Sequence, residues 1–253
     1  ELGLDKPVLV QYVNYMWDIL HGDFGVSWFT KQPVIDEIVN RMPYTLSLGV
    51  LSTLIASIIS IPLGTLTAVK HNTPADYIVT FLCLLFAAMP GFWLAIILQI
   101  YLSLQTGWFP AYGMGTMRHF VLPVIAVCAA SVATNIRSTR TWVLDVIRSD
   151  YVRTARAKGA SEVVVIMKHA LRNALLPIVT GFGSAFAGVL GGSVVIETVF
   201  AIPGISTYLT SAVKTRDMPI IMGCILVISV FVGVVNLLVD LMYSVIDPRV
   251  KYE

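Results

Sequence analysis

The stretch IIMGCILVISVFVGVVNLLVDLMYSVI, Ile220–Ile246, is 27 residues long and carries one charged side chain, Asp240. A bilayer hydrocarbon core about 30 Å thick is crossed by roughly 20 apolar residues in helix. No soluble helix needs so long an uninterrupted apolar run. Four further stretches read the same way: Thr45–Val69, Tyr77–Leu104, Phe120–Ile136 and Leu175–Phe200. The chain is therefore expected to be an all-α, polytopic transmembrane helix bundle with about five spans.

Bulk composition agrees. Of 253 residues, 57% are hydrophobic and 13% charged, against about 25% charged in an ordinary soluble domain. Mean hydropathy is +0.80. One globular core could not hide that much apolar surface. A net charge of +2 gives no reason to expect nucleic acid. Cys83, Cys128 and Cys224 all lie in apolar runs, as small buried hydrophobes do. His21, His71, His119 and His169 show no metal-ligand spacing, and no bound cofactor is expected.

Five crossings place the two chain ends on opposite sides, and charge decides which is which. Eleven of the 17 Lys and Arg residues fall in one set of connections: Lys70, the segment Arg137–Arg172, and Arg249 with Lys251. Cytoplasmic connections carry the basic excess, so that set and the C-terminus are expected inside. Residues 1–44 are then an extracytoplasmic segment, and 45–253 form the transmembrane domain. In the outer segment, Val8–Leu20 carries a helix-like apolar stripe ending at Gly22, suited to packing on the outer face or lying in the interface. Gly22-Asp23-Phe24-Gly25 reads as a turn, and Val34–Arg41 as a second short helix. Trp108, Phe109 and Tyr112 suit an outer aromatic belt.

The longest inside connection, within 142–175, is the most informative. Ser149 or Asp150 can cap a short basic helix over Tyr151–Lys158. Gly159 stops it, Ser161 can cap a second helix, and Pro177 leads into the next span. The result is a basic helix–Gly turn–helix hairpin. From the residues alone it is either a loop held on anionic lipid or an insert for a partner's groove.

Ala155, Gly159 and the run to Pro177 resemble the EAA loop of ABC-importer permeases, in the variant of the dipeptide/oligopeptide/nickel family. The resemblance extends along the chain. It takes in Leu2-Gly3-Leu4-Asp5-Lys6-Pro7, Gly22–Ser27, Arg41–Leu46, Met89-Pro90-Gly91-Phe92-Trp93, Glu197–Ile205, Arg216–Pro219, Asn236–Asp240 and Asp247-Pro248-Arg249. Arg153 and Thr154 stand where the general EAA pattern has Glu and Ala, which is similar to the peptide/nickel branch.

The resemblance implies a bundle of the type I ABC importer kind in the prokaryotic inner membrane, with a further N-terminal span ahead of Glu1. Its partners would be a second homologous permease, two P-loop ATPases and an extracytoplasmic binding protein, with the bilayer around them. Peptides or nickel and other metal chelates would be the cargo. Ala155, Gly159, Ala160, Ser161 and Glu162 would couple to the ATPase, with Arg153, Arg156 and Lys158 adding charge.

Other residues remain open between readings. Ser184, Gly188 and Gly192 recur every four residues along the fourth span. They suit close packing within the subunit, a face toward a second permease, or the pathway. Pro90 is expected to kink the second span. Asp240, one turn after Asn236, is the most suggestive intramembrane acid, best read as a cap or as a partner for Arg137 or Arg140. Glu197 either braces the Pro203-Gly204 loop or touches substrate.

The competing readings are an ion-gradient transporter and an intramembrane enzyme. The first expects repeated half-structures or several buried acids. The second expects a nucleophile or metal motif. Neither pattern is found, and the absence of a Gly-x-x-x-x-Gly-Lys-Ser/Thr loop leaves ATP hydrolysis to partner subunits.

Overall fold

The computed structural model describes residues 7–246, with side-chain surroundings at 190–192 and 243–246 outside that description. The motifs at 2–6 and 247–249, and the surroundings of Gly192, therefore lie outside the described residues. Among the described residues the regular elements are all helices, with one isolated β-bridge between Val26 and Pro33. The helices are α1 (Val8–Leu20), α2 (Val34–Val69), α3 (Pro74–Ala88), α4 (Gly91–Leu98), α5 (Arg118–Ile147), α6 (Asp150–Ala157), α7 (Glu162–Val164), α8 (Arg172–Gly192), α9 (Val194–Val199), α10 (Ile205–Thr215) and α11 (Met218–Ile246). π-helical segments Gln99–Gln105 and Val165–Leu171 extend α4 and join α7 to α8.

Four of these rods are long and apolar enough to cross a bilayer, and α3 with α4 and its extension supplies a fifth, bent crossing. At Pro90 the expected kink is a full break. The pair Pro74–Ala88 and Gly91–Gln105 meets at 93°, because Pro90 lacks an amide hydrogen and its ring drives the preceding residue out of helical geometry. Met89 is extended accordingly, at φ −80° and ψ 125°.

Other boundaries also differ from expectation. Val34–Arg41 is the first part of the 36-residue α2, which passes through Pro43 without stopping. At 1.5 Å per residue α2 is about 54 Å long, so it must tilt or project well beyond a hydrocarbon core of about 30 Å. The fourth span begins earlier and ends earlier than its hydropathy suggests. The second hairpin arm runs into it unbroken, giving one rod over Glu162–Val189. Residues 194–200 belong instead to α9 and its cap, and α10 was not expected at all.

The core is built on α2 and α5, packed along their length. Ser52, Ala56, Ser60 and Gly64 lie on one face of α2 and are all buried. A Cβ at Gly64 would stand 2.6 Å from Cβ of Thr139 and 2.8 Å from the Ile136 carbonyl oxygen. Only glycine allows that approach. Ser60 adds a hydrogen bond from Oγ to the Val132 carbonyl at 3.2 Å. On the other side α8 reaches α5 and α11 through two more glycines. A Cβ at Gly181 would meet the Trp142 ring at 2.5 Å, and one at Gly183 would collide with the Val239 side chain.

Candidate functional site

Three polar clusters mark the two ends of the bundle, and they fix which connections share an end. At one end Arg140 of α5 grips Asp76 at the start of α3 with a two-pronged contact, Nε to Oδ1 and Nη2 to Oδ2, both 2.8 Å. The Asn72 amide donates to Asp76 at 3.0 Å, and His71 Nδ1 lies 3.3 Å away. Asp76 is almost wholly buried, so a paired, hydrogen-bonded geometry is what makes its charge tolerable. Arg140 is thereby committed to Asp76, while Asp240 and Asn236 lie on the exposed side of α11.

At the opposite end the fully buried Glu197 of α9 gathers three segments. Its carboxylate accepts from Oγ1 of Thr45 and Oγ of Ser193, each at 2.9 Å, and from the Thr207 amide at 3.1 Å. Gly204 packs so tightly on this carboxylate that a Cβ would overlap it. Glu197 thus braces the Pro203-Gly204 loop. Burial pushes its carboxyl above the usual carboxylate range, while the Ser193, Thr45 and backbone donors oppose that rise. Nearby, Asp217 accepts from Oγ of Ser27 at 2.6 Å and from the Trp28 amide at 3.1 Å. This ties the outer segment to the start of α11.

The Arg140 end carries the hairpin, with α6 as one arm and α7 with the π-helical segment as the other. Ser149 and Ser161 occupy the predicted cap positions in extended geometry, yet neither hydroxyl caps its helix. Ser149 Oγ donates to the Val146 carbonyl instead, at 2.6 Å. Gly159 takes φ +81°, the left-handed conformation that suits glycine. The turn is closed by Gly159 N–H to the Arg156 carbonyl at 2.9 Å and Ala160 N–H to the Ala155 carbonyl at 3.3 Å. Arg156 reaches over the apex to Glu162, with Nη2–Oε1 at 2.6 Å and Nε–Oε2 at 3.1 Å. Val152, Val165 and Ala170 are fully buried at the hairpin base. The structure therefore brings Ala155, Gly159, Ala160, Ser161 and Glu162 together at one apex.

The remaining sequence candidates do not join them. Pro90 is at the break between α3 and α4. Ser184 and Gly188 lie on the exposed side of α8, and a Cβ at Gly188 would meet nothing within 4 Å. Packing within the subunit thus falls to Gly181 and Gly183. Cys83, Cys128 and Cys224 are free and buried. Among the described residues no group of three His, Cys, Asp or Glu side chains is placed to hold a metal.

Sequence reasoning missed the Asp76–Arg140 contact and the small-residue seam of α2. The seam had a signal, since Ser52, Ala56, Ser60 and Gly64 repeat every four residues. The ion pair had only a weak one, an acid in the first turn of one span and an arginine near the end of another.

Comparison with known proteins gives the same architecture. Residues 60–252 match the family described as binding-protein-dependent transport system inner membrane component, and residues 1–49 match the N-terminal region of such membrane components. The oligopeptide transport system permease protein AppB of Bacillus subtilis is 41% identical, over 99% of this chain and 83% of the relative. The dipeptide transport system permease protein DppB of Escherichia coli K12 is 36% identical, over 100% of this chain and 84% of the relative. A chain of the MetNI methionine ABC transporter, solved in inward-facing conformations, superposes with a TM-score of 0.73 at 16% identity, covering 83% of this chain and 96% of that one. That likeness carries the fold. Membership of this family sets aside the ion-gradient transporter and the intramembrane enzyme. The chain belongs to the inner membrane components of binding-protein-dependent transport systems, the permease subunits of ABC importers.

Proposed function

We propose that this chain forms one half of the translocation pathway of an ATP-driven peptide importer, and that its 150–171 hairpin is the element through which a separate ATPase drives it. The observation that carries the coupling role is the unbroken rod from Glu162 through Val189. A push on the Gly159 apex is delivered to a membrane-spanning helix with no flexible joint between them, as a rigid-body mechanism requires. Ala155, Gly159, Ala160, Ser161 and Glu162 form the docking apex in this reading.

The basic hairpin and the Arg140 end face the cytoplasm, by the bias of Lys and Arg to that side, and the C-terminus lies there too. The Glu197 and Asp217 clusters close the outer end. The working complex pairs this subunit with a second homologous permease, two P-loop ATPases and an extracytoplasmic binding protein in a prokaryotic inner membrane. The chain itself binds no cofactor. Peptides are favoured over nickel or metal chelates because the relatives above are named for oligopeptides and dipeptides.

The test is Gly159→Pro in the assembled complex. Proline holds φ near −65° and cannot adopt the +81° of this turn. Normal membrane insertion with loss of binding-protein-stimulated ATP hydrolysis is the expected outcome. Wild-type stimulation would remove the hairpin from the coupling path.

A further inference from the structure

Between the hairpin arms lies an open cleft of about 360 Å³, lined by Tyr151, Thr154, Ala155, Lys158, Ala160 and His169. Four of these, Tyr151, Thr154, Ala155 and Lys158, follow one face of α6. His169 comes from the facing π-helical segment, a distortion that recurs at functional sites. Ala155 and Ala160 are small and half-buried, and a larger side chain at either would fill the space. The hairpin's charges are unevenly committed. Arg156 is held by Glu162 at 2.6 Å, and Arg153 leans on Asp150 at 3.7 Å. The Lys158 ammonium and the His169 ring make no ion pair or hydrogen bond with any described residue. Beside them Val163 and Met167 are 71% and 58% exposed, giving the basic cleft an apolar neighbour.

We infer that this cleft is a slot for an acidic side chain, Asp or Glu, on the surface of the ATPase subunit, held by Lys158 and His169. The inference rests on the docking role proposed above and adds its chemistry. A carboxylate complements two uncommitted cationic or donor groups, and the alanine floor sets the depth to which it can enter. Exposed apolar residues next to a basic cleft suit a protein surface, since an interface core is apolar and its rim polar. Arg156, already paired with Glu162 within the hairpin, shapes the apex and contributes little net attraction. Charge at such a contact chiefly sets partner choice and register. Lys158 therefore selects which ATPase is accepted.

The experiment uses the complete complex, extracted in mild detergent from cells expressing all subunits. Lys158→Glu is compared with wild type and with Lys70→Glu, a matched charge reversal at an exposed site outside the hairpin, for ATPase retained per permease. In parallel, a photoreactive amino acid at Thr154 identifies the contacted residue by mass spectrometry. The expected result is a loss of about tenfold or more in retention for Lys158→Glu. Lys70→Glu should change it little, and the adduct should map beside an ATPase carboxylate. Restoration by an Asp/Glu→Lys change at the mapped residue would complete the assignment. If wild type retains ATPase and Lys158→Glu retains it equally, the slot is refuted while hairpin docking stands. An adduct with phospholipid in place of ATPase would make the cleft a lipid site. A wild-type permease that retains no ATPase would overturn both readings.

Discussion

Two stripes of small residues with the same four-residue spacing meet opposite fates in this molecule. Ser52, Ala56, Ser60 and Gly64 on α2 are buried to the last atom that matters, with α5 so close that a single methyl at Gly64 has nowhere to go. Ser184 and Gly188 on α8 face outward, and a methyl at Gly188 meets open space. Small residues in lipid permit close helix approach, but they do not say to which helix. The α2 stripe has its partner within the chain. Among the described residues no helix covers Gly188 of the α8 stripe, and the second permease proposed above would supply a surface for it.

The largest expected effect separates the two directly. Gly64→Leu forces a branched side chain into Thr139 and the backbone at Ile136, and backbone cannot rotate away as a side-chain end can. Overpacking typically costs 1–3 kcal/mol, and a site with no relief should reach the upper end, about 3 kcal/mol. For a chain of this size that corresponds to a drop of roughly 6–12 °C in Tm, measurable by thermal denaturation of the detergent-purified subunit. An unchanged Tm would mean the α2–α5 contact is much looser than its geometry indicates.

Gly188→Leu is the counter-experiment. The isolated subunit should melt within about 1 °C of wild type, because a side chain added in open space changes little. Recovery of the assembled complex, measured as second permease co-purified per tagged subunit, should fall severalfold. A lowered subunit Tm with intact assembly would return the α8 stripe to internal packing. Equal Tm and equal assembly would leave that surface to lipid alone.

Legibility in the sequence followed the same division. Hydropathy located the crossings because a bilayer imposes a length of about 20 residues on any helix that spans it. The Gly159 turn was readable because a positive φ strongly favours one residue type. What was not readable depended on residues far apart in the chain. Asp76 meets Arg140 across 64 positions, and nothing local distinguishes Arg140 from Arg137 as the partner. The continuity of the hairpin arm with α8 is not legible because Pro177 reads locally as a boundary, yet α8 passes through it. The short α10 was hidden because its polar, interfacial character gives no span signal. Of the site candidates, the apex residues converge because they are adjacent in sequence. Pro90, Asp240 and the α8 stripe each stand out by a local oddity, and local oddities carry no information about convergence.

The smallest expected effect asks what holds the α2 seam together. Ser60 Oγ donates to the Val132 carbonyl at 3.2 Å, so the seam combines close backbone approach with an interhelical hydrogen bond. Hydrogen bonds between membrane helices average only about 0.6 kcal/mol by double-mutant cycle, because the separated helices also find partners for their polar groups. Ser60→Ala removes the bond while preserving small size, and should lower Tm by only about 1–2 °C. If it instead destabilised the subunit as much as Gly64→Leu, the hydrogen bond would be the dominant contact. The α2 seam would then be held by polarity more than by shape. A small effect at Ser60 beside a large one at Gly64 assigns the seam to shape, and leaves the presence or absence of a complementary helix as what distinguishes α2 from α8.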